Sequence, residues 1–175
     1  RRHTRLQGDW SSDVCSSDLR KRIQNKQPMV GPKGVNYDAP GDIYYKGANI
    51  LNMLRTIVDD DTQWRSLLRS ISKHFYHQVI SSSTLEQYIA GELDLTLEPF
   101  FDQYLRTAHL PKLVFQRAGN RLRFRFEECI ENFQMPVKIY LNGGTKWITP
   151  TTEWQSIRYT AAENPIVDEN FLLRL

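Results

Sequence analysis

The hydrophobic period changes once along this chain, and the change falls at Pro111. Before it, apolar residues recur at steps of three and four; beyond it, at steps of two. The first period belongs to helices with one buried face and the second to strands with one buried face. Helices first and strands second, without alternation, exclude a parallel sheet built from βαβ units. The expectation is therefore an α+β protein: a helical part over about 42–110, then an antiparallel β-sandwich over about 111–175. No internal repeat is apparent.

The helical part opens after a polar loop over 20–41 that carries Pro28, Pro32 and Pro40 with Gly31, Gly34 and Gly41. Asp42 reads as an N-cap, and Ile43, Gly47, Ile50, Leu51, Leu54 and Val58 form the apolar stripe of the helix it starts. Asp60 with Gln63 fits a capping box ahead of Trp64, Leu67, Leu68, Ile71 and Phe75. Ser83 with Glu86 repeats that signature before Leu85, Tyr88 and Ile89. A fourth helix over Leu97 to Leu105 tolerates Pro99 in its first turn and buries Phe100, Phe101, Tyr104 and Leu105. Past Pro111, Leu122, Phe124 and Phe126 alternate with Arg121, Arg123 and Arg125, the plainest strand. Val137 to Leu141 runs into Asn142-Gly143, a tight-turn signal, and then Lys146 to Thr149. Trp154 to Tyr159 and Phe171 to Leu175 are further strand candidates.

Residues 1–19 follow another logic. Back-translated, Asp9 to Leu19 resembles a common short-read sequencing adapter, and Arg1 to Arg5 resembles its outer end. Leu6, Gln7 and Gly8 fall where its variable index lies. The stretch is read as a translated artefact, expected to be disordered, and is excluded from fold reasoning. Arg1, Arg2 and Arg5 cancel Asp9, Asp13 and Asp18, so the net charge of +3 survives in 20–175. That charge is too mild and its residues too scattered to indicate nucleic acid. Cys129 is the cysteine left, so neither an internal disulfide nor a closed cysteine-rich metal site is available. No apolar stretch approaches the roughly 20 residues of a membrane-spanning helix.

Candidate chemistry in the histidines is thin. His74 and His77 share a helix face at i, i+3, with Phe75 and Tyr76 between them. A zincin pair needs i, i+4 spacing and an intervening glutamate to act on metal-bound water, so the two read as helix surface. His109 reads as a loop residue. Cys129 follows Glu127 and Glu128, whose charges disfavour a thiolate nucleophile.

One segment stands apart: Tyr44-Tyr45-Lys46-Gly47-Ala48, within Gly41 to Arg55. It resembles the Tyr-x-Lys-Gly-Ala stretch of the aminopeptidase N family of zinc peptidases. Further stretches follow in order: Phe101-Asp102-Gln103-Tyr104-Leu105, Leu110-Pro111, Met135-Pro136-Val137, Trp147 to Trp154 and Val167 to Phe171. The resemblance covers nearly all of 21–175 and is nearest to bacterial members. It implies that 42–110 is a helical sub-lobe of a thermolysin-like catalytic domain. It also implies a parent zinc-dependent aminopeptidase that takes N-terminal residues from peptides, with a soluble location in the bacterial cytoplasm or periplasm.

In that family the tyrosine two residues before Lys-Gly is catalytic, which here is Tyr44; Tyr45 reads as a structural aromatic. A tyrosine hydroxyl, with an ordinary pKa of about 10, stays protonated at neutral pH. It can donate to the oxyanion that forms when zinc-bound water attacks a peptide carbonyl, worth roughly 3–4 kcal/mol in comparable sites. The family's HExxH, its third zinc ligand and its amine-binding GxMEN-like stretch have no counterpart here. The expectation is a fragment lacking the N-terminal portion of its catalytic domain, with zinc in the parent enzyme, no metal ligand or cofactor site of its own, and no activity alone. Such a fragment should leave some of the side chains among Ile43, Ile50, Leu51 and Leu54 in solvent as a contiguous patch, with Tyr44 at its edge. The alternatives are a non-catalytic peptidase-like scaffold and a free-standing helix-plus-sandwich interaction module.

Overall fold

The computed structural model describes residues 19–32, 34–35, 41–141, 144–159 and 164–175. The expected leader, Trp10 included, lies outside them except for Leu19, whose carbonyl accepts from the Arg22 N–H at 3.0 Å. The Asn142-Gly143 turn signal also lies outside the described residues. Among these residues there are helices α1 (Asp42–Val58), α2 (Asp61–His74), α3 (Ser82–Leu93) and α4 (Glu98–Arg106), followed by six strands.

The helix ends show which local signals hold. Asp60 caps α2, its carboxylate accepting from the Thr62 and Gln63 N–H groups at 2.7 and 3.1 Å. Ser81, rather than Ser83, caps α3 by accepting from the Thr84 N–H at 3.1 Å. The capping box expected at Ser83 and Glu86 does not form, because the helix starts at Ser82 and Ser83 lies inside it; Glu86 accepts instead from the Arg106 guanidinium at 2.9 Å. Asp42 does not cap α1; Gly41 holds that position and Asp42 sits inside the first turn. Pro99 occupies the first turn of α4, where no intrahelical N–H bond is lost.

Beyond α4 the chain forms two small antiparallel sheets. One has the order β1 (Lys112–Ala118), β2 (Arg121–Glu127), β5 (Gln155–Arg158). The other has the order β4 (Gly144–Ile148), β3 (Val137–Leu141), β6 (Ile166–Val167). β1 and β2 meet in a two-residue turn, with Ala118 opposite Arg121 and Gly119 at φ +57°, a conformation glycine adopts without strain. Leu122, Phe124 and Phe126 are buried, as the alternation requires. The Phe171 to Leu175 strand does not form. That segment makes an isolated bridge instead: the Leu113 N–H donates to the Arg174 carbonyl and the Arg174 N–H to the Pro111 carbonyl, at 2.8 and 2.9 Å. β1 and β6 carry no alternation that marks them, since Leu113-Val114-Phe115 is a continuous apolar run and β6 is two residues long.

One cluster of buried side chains holds helices and sheets together. Ile50, Met53 and Leu54 of α1 join Phe100, Phe101 and Tyr104 of α4, Phe124 and Phe126 of β2, and Val137 and Ile139 of β3. Leu172 ties the end of the chain into it, its N–H meeting the Met53 sulfur at 3.1 Å and its carbonyl accepting from the Tyr104 hydroxyl at 2.9 Å. Phe133 sits against Phe126 with ring centroids 4.8 Å apart. Phe133→Ala should cost about 3–5 kcal/mol, the usual range for emptying an aromatic site. Tyr104→Phe should cost about 1–3 kcal/mol, by leaving the Leu172 carbonyl without its donor. Chemical denaturation of the two variants checks both; a Tyr104→Phe loss as large as that of Phe133→Ala would contradict the assignment.

Candidate active-site segment at the start of α1

The first two turns of α1 bury polar side chains. Asp42, Lys46 and Asn49 are each no more than 3% exposed, and they share one stripe with Ile50, Met53 and Leu54. Positions spaced four, three, one, three and one apart fall on one helix face, so this stripe is what α1 presents inward. It is polar in the first half of the helix and apolar in the second.

Each buried polar group is bonded. The Asp42 carboxylate accepts from the Gln24 and Asn25 N–H groups at 2.9 and 2.6 Å, which fixes the preceding loop against the helix start. Lys46 Nζ donates to the Thr107 carbonyl at 3.1 Å, joining α1 to the residue that ends α4. Asn49 Nδ2 donates to the Tyr45 carbonyl at 2.9 Å, and its Oδ1 accepts from Arg20 Nε at 3.4 Å. Met29 Cε lies 3.5 Å from where a Cβ on Gly47 would stand, so the small residue after Lys46 lets the loop approach the helix. Burial pushes the Lys46 ammonium down to about 8, with nearby Asp42 opposing the shift.

Tyr44 faces the other way. It is 73% exposed, and no hydrogen bond of its hydroxyl is found among the described residues. Tyr45 is half-buried, with the Arg22 guanidinium 5.7 Å from its ring centroid. It borders a cavity of about 310 Å³ that also touches Gln24, Lys26 and Asp42; Tyr44 does not line it. The expected apolar patch forms only in part. Leu51 is 51% exposed, but Ile50 and Leu54 are buried at 4% and 1% and Ile43 is half-buried. The stripe of α1 is rotated from the one its apolar residues suggest, and the core closes over Ile50 and Leu54.

The remaining candidates separate. α2 ends at His74, and His77 lies past it at φ +54°, so the two histidines do not share a helix face as expected. His74 stacks on Tyr88 with centroids 4.5 Å apart. Cys129 is half-buried, and burial raises its thiol; Glu127 and Glu128, expected to do so, are engaged by Arg125 and Arg174. Among the described residues no group of three or more His, Cys, Asp or Glu side chains could hold a metal ion. No described helix is long and apolar enough to cross a membrane. The buried set of Asp42, Lys46 and Asn49 escapes a hydropathy reading, and its one signal is the spacing that aligns it with Ile50 and Met53.

No protein-family model matches the chain, and no curated protein sequence does. Among solved structures, the fold is similar to the crystal structure of Legionella pneumophila aminopeptidase A in complex with aspartic acid, with a TM-score of 0.63 at 15% identity. The likeness covers 85% of this chain and 20% of that one, so the chain spans about a fifth of that protein's length. At this identity the likeness is one of fold.

The buried lysine carries a pH signature. Its folded pKa of about 8 lies below the ordinary 10.5, so the unfolded chain binds more protons between those values. Stability should therefore rise from pH 8 toward 10.5, with a slope of up to about 1.4 kcal/mol per pH unit from this group, and level off on either side. Lys46→Met should remove that component. Denaturation of both proteins across the range measures the difference, and parallel curves would contradict the burial of a charged Lys46.

Proposed function

We propose that this chain is the C-terminal part of a zinc-dependent aminopeptidase of the aminopeptidase N family, with Tyr44 as the hydrogen-bond donor to the reacting carbonyl. The observation that carries the reading is the placement of Tyr44: an exposed hydroxyl with no partner among the described residues, on a helix start that buried Asp42, Lys46 and Asn49 hold in place. The fold likeness to an aminopeptidase and the Tyr-x-Lys-Gly-Ala segment support it. The described residues offer no ligand set for zinc, so the ligands in this reading belong to the N-terminal portion of the catalytic domain. The substrate is the N-terminal end of a peptide.

Within that reaction this chain's part is electrostatic. Negative charge builds on the carbonyl oxygen as the peptide carbon becomes tetrahedral, and a donor already aimed at that oxygen stabilises the transition state more than the ground state. Positioning matters because a hydroxyl that must be ordered at each turnover loses part of that gain. The Lys46–Thr107 bond and the Asp42 contacts with the loop remove freedom from the base of the helix, though not from the Tyr44 side chain.

A second reading, a free-standing module of helices and sandwich that binds partners without catalysis, draws on one observation. Ile50 and Leu54 are buried, so the core closes over α1. Recovering the adjoining coding sequence and expressing the contiguous protein separates the two. In the peptidase reading, that protein holds zinc and releases N-terminal residues, and Tyr44→Phe lowers kcat about 10²–10³-fold with little change in KM. The chain of 175 residues alone should show no turnover. Full activity in Tyr44→Phe, or turnover by the chain alone, would contradict it.

A further inference from the structure

Residues two apart on a strand point the same way, so Arg121, Arg123 and Arg125 share the face of β2 that turns away from Leu122, Phe124 and Phe126. In the register of β2 with β5, Arg121 stands directly opposite Arg158. Like charges directly opposite on adjacent strands destabilise a sheet. Among the described residues neither of these arginines is ion-paired; Arg121 Nε donates to the neutral Ser156 hydroxyl at 3.0 Å. Glu127 neutralises Arg125 at 2.6 Å, which leaves the charge of Arg121, Arg123 and Arg158 on the face.

Arg123 is also held in position. Its guanidinium carbon lies 4.9 Å from the Trp154 ring centroid, and that of Arg125 lies 4.7 Å from it. A guanidinium resting on a ring keeps N–H donors available for a carboxylate, and its side-chain freedom is already reduced.

We propose that this face docks an acidic polypeptide segment in extended conformation, its carboxylates paired with Arg121, Arg123 and Arg158. Charge complementarity sets the sign of the partner, and spacing sets its form. Arg121 and Arg123 are two residues apart on one strand, about 6.6 Å, and alternate side chains of an extended peptide repeat at the same distance. Guanidinium and carboxylate also match in bidentate geometry. A single-stranded nucleic acid fits less well, because such surfaces rely on open aromatic rings for base stacking. Here Trp154 is contacted by two arginines, and Tyr159 is buried with Arg117 5.3 Å from its ring. The surface is independent of the peptidase reading.

The test titrates the 175-residue chain into three fluorescein-labelled probes and follows anisotropy. The probes are an octapeptide with glutamate at alternate positions, its glutamine counterpart, and an oligothymidylate matched in charge. The glutamate peptide should bind saturably, weaken with added salt, and lose affinity by about 2- to 30-fold when Arg121→Gln and Arg158→Gln are combined, as expected for the loss of two exposed ion pairs. Arg69→Gln, an exposed arginine on α2, should leave binding unchanged. The double variant should melt no lower than the parent chain, since it removes the opposed charges. Absence of saturable binding, equal affinity of the double variant, equal binding of the glutamine peptide, tighter binding of the oligothymidylate, or a lower melting temperature would each overturn the proposal.

Discussion

Everything at the candidate site rests on the burial of an ammonium group at the foot of α1. Lys46 is 1% exposed and donates to the carbonyl of Thr107, the residue where α4 gives way to extended chain. Burying a charge is costly unless it is bonded, so this contact constrains both helices at once. Asp42 adds a second constraint by accepting from two loop amides. With both in place, the inward stripe of α1 is set, and Tyr44 is left on the outward side. An apolar stripe alone would have set a different rotation, with Ile43 and Leu51 turned in.

That rotation marks the boundary of what the residues disclose in advance. Periodicity finds the four helices and the strand at Leu122, Phe124 and Phe126, because each has one face whose hydrophobicity exceeds its neighbours'. It misplaces the buried face of α1, where Asp42, Lys46 and Asn49 go inside against their ordinary preference for water. It misses β1, whose three consecutive apolar residues do not alternate, and it reads a strand into Phe171 to Leu175. There the side chains of Phe171 and Leu172 are buried, but among the described residues the backbone makes a bridge at Arg174 alone. Capping was legible at Asp60 but fell two residues early at Ser81 rather than Ser83, where three neighbouring hydroxyl residues offer the same local signal. The resemblance singles out Tyr44 through its neighbours Lys46 and Gly47. The reason those neighbours matter, contact with Thr107 and with Met29, is visible only in three dimensions.

The start of α1 and the outer face of β2 and β5 treat their charged groups differently. At α1 the polar groups are buried and hydrogen-bonded, and those bonds offset part of the cost of taking them out of water. On the outer face of β2 and β5 the arginines are exposed or half-buried, and Arg121 opposite Arg158 is left without an acidic partner among the described residues. Natural sequences usually relieve such a pair with an acidic neighbour, as Glu127 does for Arg125. A local conflict without evident relief is where a function outside the fold is to be sought.

The central claim is that the Tyr44 hydroxyl is aimed at the oxygen that acquires charge during peptide cleavage. A crystal structure of the contiguous protein with a tetrahedral transition-state analogue bound measures this directly. The account predicts the Tyr44 Oη within about 2.7–3.1 Å of the analogue oxygen that stands for the oxyanion, with Lys46 still on the Thr107 carbonyl. An analogue oxygen satisfied by other donors, with the Tyr44 hydroxyl in solvent, would contradict it.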